Sequence, residues 1–335
     1  MMTQQLQTHW VIVAFETFFC PLPNFTLPAP HTCELRNYER TRPDQIAERI
    51  HDADIVIMSI LPLTAEVLGP GASPRLKMVS VIASGTDTVD LAACRARGIV
   101  VSNTPHCNVT TVTEHVLALY FATRRSLMLT NSLTRSGDWA NKGSQHSTMD
   151  GPDGKPPRTC CDEVVGIIGY GAIGRRVEAT VKLLGMKTVV AGRKGAPAPE
   201  GRVGFETVIR ECSVLIVCLP RSPETLNLIS EAEFNQMKPY GLLINVSRGG
   251  IVDENALVSA LREGKIAGAG TDVYSQEPAQ PANNVLLAAD TADLNLVATP
   301  HVAWYAEETF DNYNRACRAN IAGFVTTSKP KYQIC

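Results

Sequence analysis

At 335 residues the chain is longer than one ordinary core, which points to two domains of roughly 100–200 residues each. An apolar share of 44% and a charged share of 19% describe a globular chain rather than a disordered one. With 31 basic and 33 acidic residues the net charge is −2, so no electrostatic pull towards nucleic acid or an anionic membrane is expected.

The apolar start His9–Pro23 has no basic run before it and is interrupted by Glu16, so it predicts a buried first strand rather than a leader peptide. Residues 10–15, 55–60, 78–83 and 99–102 are short Val- and Ile-rich runs. Helical spacing lies between them at Pro43–Ala53, at Glu66–Leu68 with its neighbours, and at Val89–Arg97. This alternation predicts a parallel sheet covered on both faces, to about residue 106. Thr110–Thr130 then predicts one long helix with a wide apolar face of Val112, His115, Val116, Leu119, Phe121 and Leu127. Here His115 is expected to be packed. Residues 141–158 are rich in Gly, Pro and Ser and predict a surface loop.

A second alternation starts at Glu163, with strands at 164–169, 188–192, 214–219, 242–246, 267–272 and 296–300 separated by helical segments. The fold class expected is α/β, with two doubly wound parallel sheets. Residues 305–325 have helical spacing and could return to the first domain, making it discontinuous. The expected boundaries are 1–107 completed by 305–335 for one domain, and 108–304 for the other.

No apolar stretch approaches the ~20 residues a membrane span requires. The final Gln-Ile-Cys is neither a peroxisomal nor a retention address. Ten cysteines include no C-x-x-C pair and no histidine at zinc-ligand spacing, so no metal is expected. Reduced thiols in the cytoplasm are the reading, with Cys212 and Cys218 acting as small core residues and the vicinal pair Cys160–Cys161 incidental.

Gly169-Tyr170-Gly171-Ala172-Ile173-Gly174 follows a strand-like run and opens a helix, the context a dinucleotide-binding turn requires. Gly169 would allow the tight turn, Gly171 the approach of a pyrophosphate, and Gly174 close packing of helix on strand. The N–H groups at the helix start would stabilise phosphate charge. Three glycines that merely allow tight packing are the alternative. At the end of the second strand an NAD site calls for a carboxylate on the ribose. The chain instead has Gly192-Arg193-Lys194, which favours NADP(H) over NAD(H) because the two cations could pair with a 2′-phosphate. A solvated strand end is the alternative there.

Three further segments each follow a predicted strand: Asn245–Gly250, Asp272–Pro278 and Thr299–Tyr305. They bring Arg248, Glu277 and His301 to the carboxyl edge of the sheet, where α/β folds bind ligands. A guanidinium can hold a substrate carboxylate and polarise the neighbouring carbonyl. A histidine can supply the proton a reduced carbonyl oxygen needs near neutral pH, and a glutamate on its other nitrogen would orient it and favour imidazolium. Each residue alone also has a plain structural reading, as a turn residue, a strand end or a surface ion pair.

Across these segments the sequence resembles the D-isomer-specific 2-hydroxyacid dehydrogenases, over essentially its whole length. The resemblance rests on Gly169–Gly174, Leu219-Pro220 with Pro223-Glu224-Thr225, Asn245–Gly250, Asp272 with Glu277-Pro278, and Pro300-His301. In the first domain Ser84-Gly85-Thr86-Asp87 and Val112-Thr113-Glu114-His115 also match. It implies two Rossmann-like domains with an active-site cleft between them, and an NAD(P)-dependent oxidoreductase interconverting a small 2-keto acid and its D-2-hydroxy acid. By it Arg248, Glu277 and His301 are catalytic, and Ser84, Gly85, Arg248 and Trp304 bind substrate. The cofactor would meet Thr113, the glycine turn, Gly192, Arg193, Lys194, Leu219, Pro220, Thr225, Val246, Ser247, Asp272, His301 and Ala303. A homodimer paired through the cofactor domain is implied, and a C-terminal helix that returns to the first domain.

The stretches AGRKG (191–195) and HVAWY (301–305) look most like glycerate dehydrogenases, also called hydroxypyruvate or glyoxylate reductases, although Gly192 stands where those NAD enzymes carry an acid. A competing class, the nucleotide-sensing corepressors of the same fold, carries a similar Ala-Trp-Tyr stretch. The absence of long polar flanks argues against it.

Overall fold

A computed structural model describes residues 8–22 and 26–335. Pro23, at the end of the apolar start, lies outside the described residues. The chain divides into two compact units: one runs to Asn108 and resumes at Tyr305, and the other spans Val109–Trp304.

The first unit contains β1 (His9–Ala14), β2 (Thr32–Asn37), α1 (Ile46–Ile50), β3 (Ile55–Met58), β4 (Met78–Val81), α2 (Leu91–Arg97) and β5 (Val100–Ser102). The strands pair in parallel in the order β2-β1-β3-β4-β5. Every residue of β3 and β4 is buried, which is why both are apolar but for Ser80 of β4: a parallel sheet is covered on both faces. Strand β2 was not expected from the sequence. It is an edge strand, paired only with β1, and its exposed and half-buried positions can carry Thr, Glu and Arg. The helix expected around Glu66–Leu68 is absent; Leu68 N–H donates to the Thr64 carbonyl and Gly69 N–H to Glu66, closing a turn that goes no further. The Pro43–Ala53 helix is shorter than expected, a 3₁₀ turn over Pro43–Gln45 followed by α1.

The second unit begins with α3 (Val109–Arg124), α4 (Leu127–Arg135) and α5 (Asp138–Lys142). The single long helix expected over Thr110–Thr130 is thus broken at Ser126, whose φ of 44° is left-handed. No Gly or Pro marks the break. It follows Arg124, whose guanidinium turns inward to the buried Glu163 at 2.7 Å and to the Tyr240 carbonyl at 2.9 Å.

Next come β6 (Val164–Ile168), α6 (Ala172–Leu183), β7 (Lys187–Val190), α7 (Phe205–Glu211), β8 (Val214–Val217), α8 (Glu231–Phe234), β9 (Leu242–Asn245), α9 (Glu254–Arg262), β10 (Gly268–Thr271) and β11 (Leu296–Ala298). Between β10 and β11 only short 3₁₀ turns occur, not the helical segment expected.

The six strands pair in parallel in the order β11-β10-β9-β8-β6-β7. A Rossmann sheet places one more strand outside β7. Here that strand is reduced to a single parallel bridge, Ala191 to Val203.

The last helix, α10 (Glu307–Thr327), belongs to the first unit. Its Asn320 side-chain amide donates to the Asn103 carbonyl at 2.8 Å, and Phe324 packs edge-on against Trp10. All ten cysteines are free thiols, and burial pushes Cys212 and Cys218 up to about 12. Among the described residues no helix is long and apolar enough to cross a membrane.

Candidate active site

The glycine turn sits where the second sheet reverses its strand order, with β7 on one side of β6 and β8 on the other. Gly169 has a φ of 99°, and a Cβ there would lie 2.6 Å from the Cys218 carbonyl oxygen, so the turn lies directly on the end of β8. A Cβ on Gly174 would overlap the Gly169 carbonyl oxygen. These two glycines are required by the protein itself.

Gly171 differs: a Cβ there would meet nothing within 4 Å, and no side chain caps the first turn of α6. Open space before uncapped N–H groups fits the pyrophosphate of a dinucleotide. Ala172 and Ile173 form that first turn. Beyond β8, Leu219 and Pro220 lead into a turn closed by Thr225, whose hydroxyl accepts from Ser222 N–H at 2.7 Å and donates to the Pro220 carbonyl at 3.0 Å.

The end of β7 corrects one expectation. Lys194 is not available to a ligand phosphate: its ammonium is 2.7 Å from the buried carboxylate of Glu233 and donates to the Leu228 carbonyl at 3.1 Å. Arg193 is exposed. A cation not singled out in the sequence stands near it: Arg202 lies 4.6 Å over the Tyr170 ring and reaches the Ala191 carbonyl at 3.4 Å. Arg202 immediately precedes Val203, the remnant of the missing strand. The only sequence sign of it was a basic residue in a Gly- and Pro-rich return loop. Gly192 also has a packing reason, since a Cβ there would sit 3.2 Å from Ala198 Cα.

The catalytic candidates come together at the ends of β9, β10 and β11. Asn245, the last residue of β9, folds the next turn: its side-chain oxygen accepts from Ser247 N–H and Oγ, and its amide donates to the Arg248 carbonyl. Val246 is buried in this turn. Gly249 has no room for a Cβ, which would overlap the Tyr274 carbonyl. The turn carrying Arg248 therefore lies directly on the segment after β10 that carries Glu277. That segment is anchored by Glu254, which accepts from Ser275 Oγ at 2.7 Å and from the Asn284 side chain at 2.9 Å.

Glu277 Oε1 accepts from Tyr274 N–H at 3.0 Å, and its Oε2 is 2.6 Å from His301 Nδ1. Burial works to raise the Glu277 carboxyl, but the hydrogen bond and charge of His301, with Arg248 nearby, outweigh it and hold the group below its ordinary range. An ionised carboxylate only accepts, so Nδ1 carries the proton and Nε2 is the ring nitrogen left for chemistry. His301 itself has a left-handed φ of 54°. Arg248 donates to the Ser247 carbonyl at 2.8 Å.

The Asp272 carboxylate is fully buried and accepts from Thr299 Oγ1 (2.6 Å), Val302 N–H (3.0 Å) and Ala303 N–H (2.8 Å), so it pins the turn that carries His301. His115, expected to be packed, belongs to this network, with Nε2 2.9 Å from Thr299 Oγ1. Tyr274 OH donates to the Thr299 carbonyl, and burial pushes the phenol up to about 12, so it remains a donor. Trp304 donates its indole N–H to the His301 carbonyl at 2.8 Å. Thr113 is 2% exposed, and its hydroxyl donates to the Val109 carbonyl at 2.8 Å. Sequence patterns flagged none of Asn245, Thr299, Tyr274 or His115 for these tasks; the bonds of the last three run between segments far apart in the chain, while Asn245 bonds within its own turn.

In the first unit, Ser84 is exposed and Gly85 half-buried in the loop after β4. Asn103 donates its side-chain amide to the Ser84 carbonyl at 2.7 Å, and Thr104 N–H donates to Ala83.

The sequence model described as the D-isomer specific 2-hydroxyacid dehydrogenase NAD binding domain matches residues 117–303. Over 303 residues the chain is 38% identical to the glycerate dehydrogenase of Methylorubrum extorquens, covering 90% of this chain and 91% of that one. Over 291 residues it is 31% identical to the glyoxylate reductase of Thermococcus litoralis, covering 85% and 84%. Its fold matches an NADPH-dependent glyoxylate/hydroxypyruvate reductase of Sinorhizobium meliloti with a TM-score of 0.77 at 26% identity, covering 97% of each chain. Nothing among these relatives supports the corepressor reading. The glycine turn, the three strand ends and these similarities agree: the chain belongs to the D-isomer-specific 2-hydroxyacid dehydrogenases.

Proposed function

We propose that the chain reduces a small 2-keto acid to the D-2-hydroxy acid at the expense of a reduced nicotinamide dinucleotide, with His301 as the acid. The observation that carries this reading is the 2.6 Å bond from His301 Nδ1 to Glu277, which fixes the tautomer and leaves Nε2 for the substrate oxygen. When bound, the cofactor supplies the hydride. His301 Nε2–H gives its proton to the oxygen that gains charge, and takes it back in the reverse direction. Glu277 orients the ring. Arg248 holds the substrate carboxylate, whose two oxygens a planar guanidinium fork matches. The backbone of Ser84 and Gly85 also binds that carboxylate. Trp304 and Asp272 act by fixing the His301 turn.

Glyoxylate and hydroxypyruvate are the first substrates to try, because the relatives carry those names. NADPH is preferred to NADH, on Gly192 with Arg193 and Arg202 rather than Lys194. A second copy of the chain pairs through the cofactor unit, where Leu127, Met128 and Trp139 expose apolar side chains on α4 and α5. The free thiols fit the cytoplasm. The test is consumption of NADPH and of NADH against a panel of 2-keto acids. Turnover is expected with both named substrates, and its absence across the panel would overturn the reading.

A further inference from the structure

In the loop after β4 the amides and the carbonyls are treated differently. The N–H groups of Ser84, Gly85 and Thr86 meet no acceptor among the described residues, and Ser84 is exposed. The carbonyls that share a peptide with the first two are held. Ala83 C=O accepts from Thr104 N–H at 3.1 Å and from Thr104 Oγ1 at 3.2 Å, and Ser84 C=O accepts from the Asn103 side-chain amide at 2.7 Å. Both peptides are trans, and in a planar trans peptide the N–H points opposite to the C=O. The 103–104 segment therefore turns the Ser84 and Gly85 N–H groups away from itself. Neighbouring amides turned outward make a concavity for an anion. A comparable set after β3 is filled by the chain itself: Glu16 Oε2 accepts from Ser59, Ile60 and Leu61 N–H.

Asn103 is buried and anchored through both of its backbone groups. Its N–H donates to the Tyr332 carbonyl at 3.2 Å, and its carbonyl accepts from the Asn320 side-chain amide at 2.8 Å. Asn320, fully buried on α10, accepts in turn from Tyr332 N–H at 2.9 Å. Next to Tyr332, Gln333 bridges Ser102 of β5 in antiparallel fashion. A side chain on a backbone so fixed gives up little further entropy in holding a partner. All of these contacts lie within the first unit.

We infer that Asn103 is a positioning residue for the substrate carboxylate: by gripping the Ser84 carbonyl it fixes the peptide whose N–H, on Gly85, donates to that carboxylate. This deepens the proposed grip of Ser84 and Gly85 and rests on it. The bond also strengthens the donor, since hydrogen bonds in series polarise one another. The carboxylate keeps its charge throughout the reaction, so the effect falls on binding and appears in KM rather than in kcat.

The test compares wild type with Asn103→Leu, which removes the donor at similar size, and Asn103→Asp, which replaces it with an acceptor that repels the Ser84 carbonyl. The readouts are kcat and KM for glyoxylate and inhibition by oxamate, which carries the carboxylate beside a carbonyl that is not reduced. KM for glyoxylate and the oxamate inhibition constant should rise about tenfold in Asn103→Leu, the worth of one charge-assisted hydrogen bond, and further in Asn103→Asp. The values of kcat and of KM for NADPH should stay within about twofold. An unchanged oxamate constant in either variant, or a fall in kcat alone as a merely structural change would give, overturns the inference. A second measurement, on wild type with NADPH present, holds whether or not either variant folds. As oxamate is added, the Gly85 amide proton and the Asn103 side-chain amide protons should both move downfield, because the two bonds lie in series. Movement at Gly85 without movement at Asn103 would overturn the coupling. No response at Gly85 would overturn the proposed grip on the carboxylate and this inference with it, whereas a response there with unchanged constants in the variants overturns this inference alone.

Discussion

Both sheets reverse their strand order beside the first strand laid down, β1 in one unit and β6 in the other, and the chain treats the two reversals oppositely. Beyond β6, Gly171 leaves open space in front of the uncapped start of α6. Beyond β1, the Glu16 carboxylate fills the amides of residues 59–61. The topology offers a ligand crevice in both places, and one side chain decides whether it stays available. A doubly wound sheet is therefore weak evidence of a nucleotide site until the residues at its reversal have been read.

The glycines of the turn give the sharpest way to break this contrast. Gly171→Val puts a side chain only into the open space, so it should leave the melting temperature nearly unchanged. It should weaken cofactor binding by about a hundredfold, the loss of roughly two charge-assisted hydrogen bonds. Gly174→Ala should do the reverse in kind, lowering stability by about 1–3 kcal/mol because a methyl would overlap the Gly169 carbonyl. Fluorescence titration and thermal unfolding measure both; a strongly destabilised Gly171→Val would show that the space is structural.

Arg248→Lys keeps the charge but loses the planar fork, and should raise KM and lower kcat together by about tenfold or more in combination. A substrate amide should abolish most of the difference between mutant and wild type. An equal defect with the amide would remove Arg248 from the carboxylate.

At the end of β7, NADPH should be used about 10–100-fold better than NADH, since solvent and salt hold down an exposed phosphate pair. Arg193→Ala and Arg202→Ala should each lower kcat/KM for NADPH by about tenfold with NADH unaffected, while Lys194→Ala should lower stability by leaving the buried Glu233 carboxylate without its ion pair. Gly192→Asp should recover some NADH use, moderated by the need for Ala198 to move aside. Equal use of the two cofactors, unmoved by either arginine substitution, would show that this strand end does not choose.

The smallest effect concerns pH. The Glu277 carboxyl is held below its ordinary range, so its pairing contributes stability above that range, lost as pH falls through the depressed value. Activity should accordingly survive mild acid. Glu277→Gln keeps the size of the side chain but loses the charge that orients the His301 ring, and should lower kcat for reduction with KM little changed. An unchanged kcat would contradict the pairing.

Much of this was legible in the sequence where physics is local. Buried parallel strands are largely apolar, so β3, β4, β6, β8 and β9 stood out, and the glycine turn between strand and helix announced itself. Arg248, Glu277 and His301 were legible because each follows such a strand. What escaped depended on partners remote in the chain. The edge strand β2 needs no apolar run, Ser126 breaks a helix with no Gly or Pro to mark it, and Lys194 looked free until folding brought Glu233 to it. Nor could the sequence show that the Asp272 carboxylate accepts from the turn at 299–303.

The central claim is that His301, held by Glu277, gives the proton. It is tested most directly by 2-keto acid reduction in His301→Ala at saturating cofactor, with cofactor affinity measured on the same sample. Turnover should fall by about 10²–10⁴-fold, the usual worth of general acid catalysis, with affinity little changed. A His301→Ala enzyme that bound cofactor and turned over at the wild-type rate would contradict it.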